Sequence, residues 1–338
     1  MACTSHGGVH VVAAPDKFRG TATAAEVAAA VARAAVSVGA SCDEVPVADG
    51  GEGTLDVLGG PNRTNLVTGP LGDPVRARWR YGGRAAVVEM AQASGLALVG
   101  GGESNDPMSA STYGTGELIG AALDAGCRRV IVGVGGSATV DGGLGALRAL
   151  EPLTRLRAID LTVACDVRTT FVDAARTFGP QKGASAAQVE LLHRRLERLL
   201  QVYEHTYGVD VSRLTGAGAA GGLAGGLAAV GARLVAGFEV VADEVDLYDR
   251  IEGADLVVTG EGFLDEQSFE GKVVGGVCEL AQAAGVPVLA VVGEVVDGVE
   301  VPEGLEVVSL VAQVGEERAM AATAEAIEEV VTRRLGRA

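Results

Sequence analysis

The chain has 338 residues, of which 48% are hydrophobic and 21% charged, the balance of a soluble globular enzyme with room for two domains and a substantial core. A formal net charge of −17 argues against nucleic acid and against anionic membrane surfaces as partners. A small anionic substrate stays open, provided that local positive charge offsets the overall field.

Fifty glycines, dispersed among apolar runs, point to many tight βα turns. Of 27 basic residues only Lys17, Lys182 and Lys272 are lysines. Each lies in a glycine-bearing, loop-like stretch, which suggests that lysine is kept where a compact ammonium is wanted; chance is the plain alternative. Cys3, Cys42, Cys127, Cys165 and Cys278 show no C-x-x-C spacing and read as reduced thiols. No apolar run has the length of a membrane span and no secretory leader pattern opens the chain, so a cytoplasmic location is expected. His6 and His10 have no partner pattern, and His193 and His205 read as packing or surface residues.

In chain order, residues 9–14 form a short apolar strand that stops at Pro15-Asp16. Thr23 and Glu26 make a capping box for a helix with Val27, Val31, Ala35 and Val38 at helical spacing. Residues 44–48 read as a second strand ending in Asp49-Gly-Gly-Glu52. Residues 64–68, 75–81 and 85–90 are hairpin-like, and a helix follows Thr112.

Residues 130–134 then read as a buried strand, followed by a loop of glycines with Ser137, Thr139 and Asp141. Glycine there lets backbone amides approach an anion, and the carboxylate suggests a metal ligand or proton acceptor. A tight turn with a solvated Asp141 is the other reading. Gly133-Val-Gly135-Gly-Ser-Ala138 also spells a dinucleotide fingerprint, but that needs a helix to begin at once, and Thr139, Val140, Gly142 and Gly143 oppose one.

A strand at 161–165 ends at Asp166, and Ser185 with Gln188 caps the longest helix, with Val189, Leu192, Leu196, Leu199 and Tyr203 on one stripe. The glycine-rich run 215–226 is read as a ligand loop at Gly216 to Gly218 and a tightly packed helix beyond. A helix at 243–251 and strands at 255–259, 286–292 and 305–311 follow, with helices at 271–284 and 316–335. The βα grammar of both chain ends predicts an open parallel sheet. The expected architecture is therefore a Rossmann-like α/β domain from 1–61 plus 251–338, an inserted mixed α/β domain at 62–250, and an active site in the cleft between them.

The chain strongly resembles the bacterial glycerate kinase type 1 family. The matching pieces run in the family's order from Ala14-Pro-Asp-Lys-Phe-Arg-Gly20 and Val47-Ala-Asp-Gly-Gly-Glu-Gly-Thr54 through Val88-Glu-Met-Ala-Gln-Ala-Ser-Gly-Leu96 and Gly135-Gly-Ser-Ala-Thr-Val-Asp-Gly-Gly143. Phe178-Gly-Pro-Gln-Lys-Gly-Ala184, Gly216-Ala-Gly-Ala-Ala-Gly-Gly-Leu223 and Thr259-Gly-Glu-Gly-Phe-Leu-Asp-Glu-Gln267 continue it. Lys17 and Arg19 stand where the family has serine and lysine, Phe263 where it has a basic residue, and the segments 149–161 and 166–178 are short.

The resemblance implies a flavodoxin-like domain with an α/β insert and ATP-dependent phosphorylation of D-glycerate, to 2-phosphoglycerate or 3-phosphoglycerate, with Mg²⁺. Alternatives are a kinase of another small hydroxy acid or an inactive two-domain binding protein. The chain has no Walker A sequence, so phosphates must be held by other glycine loops and single cations. The expected holders are Gly135, Gly136, Ser137, Thr139, Gly216, Gly218 and Lys182. Asp49, Glu52 and Asp265 are candidates for Mg²⁺ or for the proton acceptor, with Asp141 and Asp166 next; Asp49, Asp166 and Asp265 form the metal set. The glycerate carboxylate is expected on Arg19 or Lys272, the latter also in the catalytic set, with Asp16, Lys17 and Glu261 completing the substrate contacts. A monomer or a homodimer fits equally.

Overall fold

The structure, a computed structural model, describes residues 8–269 and 271–336. Cys3 and His6 lie outside the described residues. The chain divides into two compact units, one from both chain ends (Met1–Asp49 with Phe238–Ala338) and one from the middle (Gly50–Gly237). The junctions thus fall before residue 50 and after residue 237, earlier than the expected 61/62 and 250/251. The cause is packing: the short helix Thr54–Val57 sits on strand Ala85–Glu89 of the middle unit, and helix Leu247–Glu252 packs on helix Val273–Ala284 of the other.

The unit of the chain ends is a five-stranded parallel sheet. Across it run Ser41–Glu44, His10–Ala13, Leu256–Thr259, Val288–Val292 and Leu305–Ser309, which in chain order is 2-1-3-4-5, the flavodoxin-like order. The interior strand His10–Ala13 is apolar because both its faces are covered. Helix Ala24–Ser37 begins at the Thr23–Glu26 capping box and packs against Thr323–Leu335; Val27, Val31 and Ala35 face inward, whereas Val38 ends the helix and is exposed.

Three expectations shift here. The second strand is Ser41–Glu44, not 44–48: Val45, Val47 and Ala48 are buried as their hydrophobicity demands, but Pro46 has no N–H with which to extend a ladder. The polar edge strand carries Asp43 and Glu44, which discourages pairing with another chain. The last strand stops at Ser309, whose hydroxyl accepts from Ala312 N and starts helix Leu310–Val314. The C-terminal helix is two, Glu316–Ala321 and Thr323–Leu335.

The middle unit has a six-stranded sheet in the order Arg63–Thr68, Pro74–Gly82, Ala85–Glu89, Arg129–Gly133, Asp160–Cys165, Arg233–Ala236. The first two pairings are antiparallel and the other three parallel. The edge strand Arg233–Ala236 was not legible in the hydrophobic pattern. Helix Ala186–Tyr207 starts at the Ser185–Gln188 capping box and buries Val189, Leu192, Leu196 and Tyr203. His193 packs inside with Nδ1 2.8 Å from the Val172 carbonyl, and His205 is exposed. No helix follows Gly133 directly; the next begins at Leu144, so the dinucleotide fingerprint has no helix to open. Among the described residues no helix is long and apolar enough to cross a membrane, and Cys42, Cys127, Cys165 and Cys278 are free thiols.

Candidate active site

Strand His10–Ala13 ends in Ala14-Pro-Asp16, and its neighbour Leu256–Thr259 ends in Gly260-Glu261. These two ends flank the point where the strand order reverses, the place where open α/β sheets bind ligands. The backbone there is fixed. Ala14 N donates to the Val258 carbonyl (2.8 Å), Asp16 N to that of Gly260 (2.9 Å), and Thr259 Oγ1 to that of Ala14 (2.8 Å). Gly260 has no space for a side chain, since a Cβ would lie 1.8 Å from the Val291 carbonyl oxygen. Gly293 N donates to Glu261 O (3.0 Å) and holds the acidic loop from its other side.

Burial sets the chemistry of this group. Asp16 is pushed up to about 6, chiefly by desolvation; Lys17 pulls it down and Asp49 adds a like charge. Its Oδ1 accepts from Lys17 N at 2.7 Å and lies 3.6 Å from Lys17 Nζ. Glu261 is pushed up to about 7, again first by desolvation; Ser268 and Lys272 lower it, while Asp16 and Asp265 raise it. Glu261 Oε1 is buried with no hydrogen-bond partner. Asp265 Oδ1 accepts from Ser268 N (3.0 Å) and Oγ (3.2 Å), which closes the turn Glu266–Phe269. Lys272 occupies the N-cap position of helix Val273–Ala284, with Nζ 3.4 Å from Gln267 Oε1. Arg19 is exposed, and Gly262 lies against its backbone: a Cβ there would be 3.4 Å from Arg19 N. Asp16, Lys17, Glu261, Asp265 and Lys272 thus form one charged group, with Asp49 close enough to act on Asp16.

The middle unit carries a second feature at its own strand ends. After Arg129–Gly133, the amides of Gly135, Gly136 and Ser137 have no hydrogen-bond partner among the described residues, although neighbouring amides do. A Cβ at Gly135 would lie 2.7 Å from Gly51 Cα, so the loop of Glu52 runs directly over this strand end. Glu89 holds that loop by accepting from Gly53 N (3.0 Å) and Leu55 N (2.7 Å); burial raises its pKa and those two bonds lower it. Three consecutive free amides offer an anion a cradle of N–H donors.

Lys182 stands behind the cradle. It is 2% exposed, and Nζ donates to Ser137 Oγ (2.7 Å) and to the Thr139 carbonyl (2.7 Å). Desolvation pushes its pKa down to about 7, against the opposing pull of Asp141. It braces the loop from inside. Thr139 is fully buried and its Oγ1 has no hydrogen-bond partner, while Ser137 Oγ accepts from Lys182 and keeps its own O–H to donate.

Asp141 also has a different task from the expected one. Its carboxylate accepts from Thr112 N (2.8 Å) and Oγ1 (2.9 Å), Gly143 N (3.0 Å), Gly145 N (3.1 Å) and Ser111 Oγ (3.4 Å). A carboxylate so fully used ties three segments together and has little left for a metal or a proton. Gly216 and Gly218 are packing glycines: added Cβ atoms would lie 2.9 Å from Cys165 Sγ and 2.2 Å from the Thr170 carbonyl oxygen. The helix beyond, Ala219–Ala229, is tightly packed as read, with a left-handed kink at Ala220, Gly221 and Gly222.

A profile of the glycerate kinase family matches residues 11–154 and 151–337, nearly the whole chain. The chain belongs to the glycerate kinase family. It is 40% identical to "Glycerate 2-kinase" of Escherichia coli K12, over 86% of this chain and 87% of that one. It is 41% identical to "Glycerate kinase" of Bacillus subtilis 168, over 84% and 85%. A crystal structure assigned as glycerate kinase 2 of Salmonella typhimurium LT2 superposes with a TM-score of 0.82 at 35% identity, covering 98% of this chain and 99% of that one. The protein is therefore a kinase on a two-unit α/β fold.

For a glycerate kinase, the acidic group around Glu261 and the amide cradle at Gly135 are two places with unused bonding capacity. Of the expected residues, Asp16, Lys17, Arg19, Asp49, Glu261, Asp265 and Lys272 belong to the unit of the chain ends. Glu52, Asp166, Lys182 and the glycine loops belong to the middle unit. Glu89 and Thr112 were missed as supports. For Glu89 a signal existed: a carboxylate closing a buried apolar strand must have internal partners.

Proposed function

We propose that this kinase transfers the terminal phosphoryl group of ATP to D-glycerate, giving 2-phosphoglycerate. The observation that carries the reading is the buried, unpartnered Glu261 Oε1 among charged groups at the strand-order switch of the flavodoxin-like sheet. The names of the relatives support glycerate as acceptor, and that of the Escherichia coli relative supports the 2-position.

In this reading Arg19 pairs with the substrate carboxylate through its planar fork, and Lys272 adds positive charge. Glu261 accepts the hydroxyl proton as the hydroxyl oxygen attacks, and Asp16, held by Lys17, orients the acceptor. The amides of Gly135, Gly136 and Ser137 hold phosphate oxygens, with Lys182 keeping their loop in shape.

Mg²⁺ fits the oxygen-rich acidic group. An Mg²⁺ ion at a phosphoryl-transfer site is usually held by one or two carboxylates together with substrate phosphates. Asp49 and Asp265 would hold it, and bound there it would neutralise phosphate charge. Exposed Phe263, on the same loop as Glu261, favours a second reading in which the acceptor is a more apolar hydroxy acid.

The test is ADP release from ATP and Mg²⁺ with D-glycerate and a panel of hydroxy acids, the product read by phosphorus NMR. Turnover that needs D-glycerate, with the new phosphorus coupled to the C2 proton, is expected. Turnover with another hydroxy acid only, or phosphorylation at C3, would replace the corresponding part of the reading.

A further inference from the structure

Within the middle unit lies a cavity of about 320 Å³ that no role above uses. Met108, Val140, Leu192 and Leu199 make its apolar walls, and Arg195 and Arg198 stand among its lining residues. Both arginines project from helix Ala186–Tyr207 three residues apart, which puts them on one face. Neither has a carboxylate within ion-pair distance among the described residues. Arg195 Nη1 donates to the Met108 carbonyl (3.0 Å) and Arg198 Nη1 to Gln201 Oε1 (2.9 Å), both neutral acceptors. Asp141 also lines the cavity, but its oxygens are taken up by the donors of Thr112, Gly143 and Gly145, and Asp106 acts on Arg195 from beyond ion-pair distance, so the two exposed guanidiniums keep N–H donors for an anion.

The volume is at the lower end of small-molecule sites, and an apolar interior with a few charged groups is their usual composition. The complementary ligand has a flat apolar part and an anionic tail. A kinase has one such substrate, its nucleotide. The wall residue Val140 lies on the loop that begins with the amide cradle, so the cavity and the cradle share one segment of backbone.

We propose that this cavity receives the base of the nucleotide, with Arg195 and Arg198 on its phosphate chain. The inference rests on the kinase reading and deepens it. Guanidiniums suit phosphate oxygens through paired N–H donors, and the Met108 thioether suits an aromatic face.

The experiment uses the full chain and ADP. Calorimetric binding of ADP is compared between the wild type and an R195Q/R198Q variant, together with the KM for nucleotide and for D-glycerate. Both side chains are exposed, so the variant is expected to fold. The expected result is a loss of about tenfold or more in ADP affinity, the effect of removing one charge-assisted hydrogen bond, with the D-glycerate KM unchanged. An A110F variant, which adds a phenyl ring at a wall residue of the cavity, should weaken ADP binding as well. If ADP binds the wild type and R195Q/R198Q alike, the cavity assignment is wrong while the kinase reading stands. If ADP binds neither and ATP is not consumed, the nucleotide reading itself fails and takes this inference with it.

Discussion

Replacing Asp141 with alanine separates a structural carboxylate from a catalytic one. The change removes the acceptor for the backbone amides of Thr112, Gly143 and Gly145, of which Thr112 is fully buried. Leaving a buried donor unsatisfied costs about 1–3 kcal/mol each, and water can recover part of this at the half-buried end, so a net loss of about 3–5 kcal/mol is expected. For a domain of this size each kcal/mol moves Tm by about 2–4 °C, which puts the fall at about 6–20 °C. The chain's single tryptophan, Trp79, is buried in the core of the same unit, so its fluorescence reports the melting of that unit. Asp141→Ala should lower the fluorescence midpoint and retain turnover at temperatures where the unit stays folded. Asp265→Ala, in the other unit, should leave the midpoint in place and reduce turnover. A variant at 141 with an unchanged midpoint and no turnover would refute the assignment.

Glu261→Gln should lower kcat by about 100-fold or more, the usual contribution of a general base, without lowering Tm, because a buried charge is exchanged for a neutral isostere. Arg19→Gln should raise the D-glycerate KM by about tenfold and leave the nucleotide KM unchanged, as steady-state kinetics would show. Lys182 binds its proton less tightly when folded, with a pKa near 7 against 10.5 unfolded, so its burial penalty is fully present below pH 7. That penalty is relieved as pH rises from 7 to 10.5, where the unfolded chain binds more protons than the folded one. Denaturant titrations of Lys182→Met should therefore lack this rising component of stability, and an identical pH slope in variant and wild type would count against it. Gly221→Ala should cost about 2–4 kcal/mol by the same fluorescence assay: Gly221 has φ +66°, and a Cβ would meet the Thr139 carbonyl oxygen at 2.0 Å.

The strands at both chain ends were legible because buried parallel strands are short apolar runs bounded by glycine and acid, and the capping boxes at Thr23 and Ser185 gave two helix starts to the residue. Ser41–Glu44 was not legible because its side chains are mostly polar and give no hydrophobic signature, and Arg233–Ala236 because Leu234, Val235 and Ala236 make too short an apolar run to stand out. Within the candidate site, the scarcity of lysine pointed to Lys17, Lys182 and Lys272. It could not tell that Lys182 faces inward, since an ammonium bracing a loop and one binding a phosphate use the same residue in the same glycine-rich setting. Glycine is ambiguous for the same reason. Gly135 and Gly136 leave amides unused, whereas Gly216, Gly218 and Gly221 let backbone press on backbone, and composition alone does not distinguish the two. The partners of Asp141 were not legible because its five donors come from residues 111–145, a set that only the folded chain assembles.

The unit that carries Glu261 takes its first two strands from residues 10–44 and its third from 256–259. On the ribosome the N-terminal strands must therefore wait for roughly two hundred residues before their central neighbour exists, about 10–40 s at ordinary rates of synthesis. The middle unit is continuous in sequence and can fold during that interval. For that time His10–Ala13 presents an unpaired apolar edge, which makes the nascent N-terminal segment a natural client for chaperones and ties the yield of active enzyme to the pace of translation.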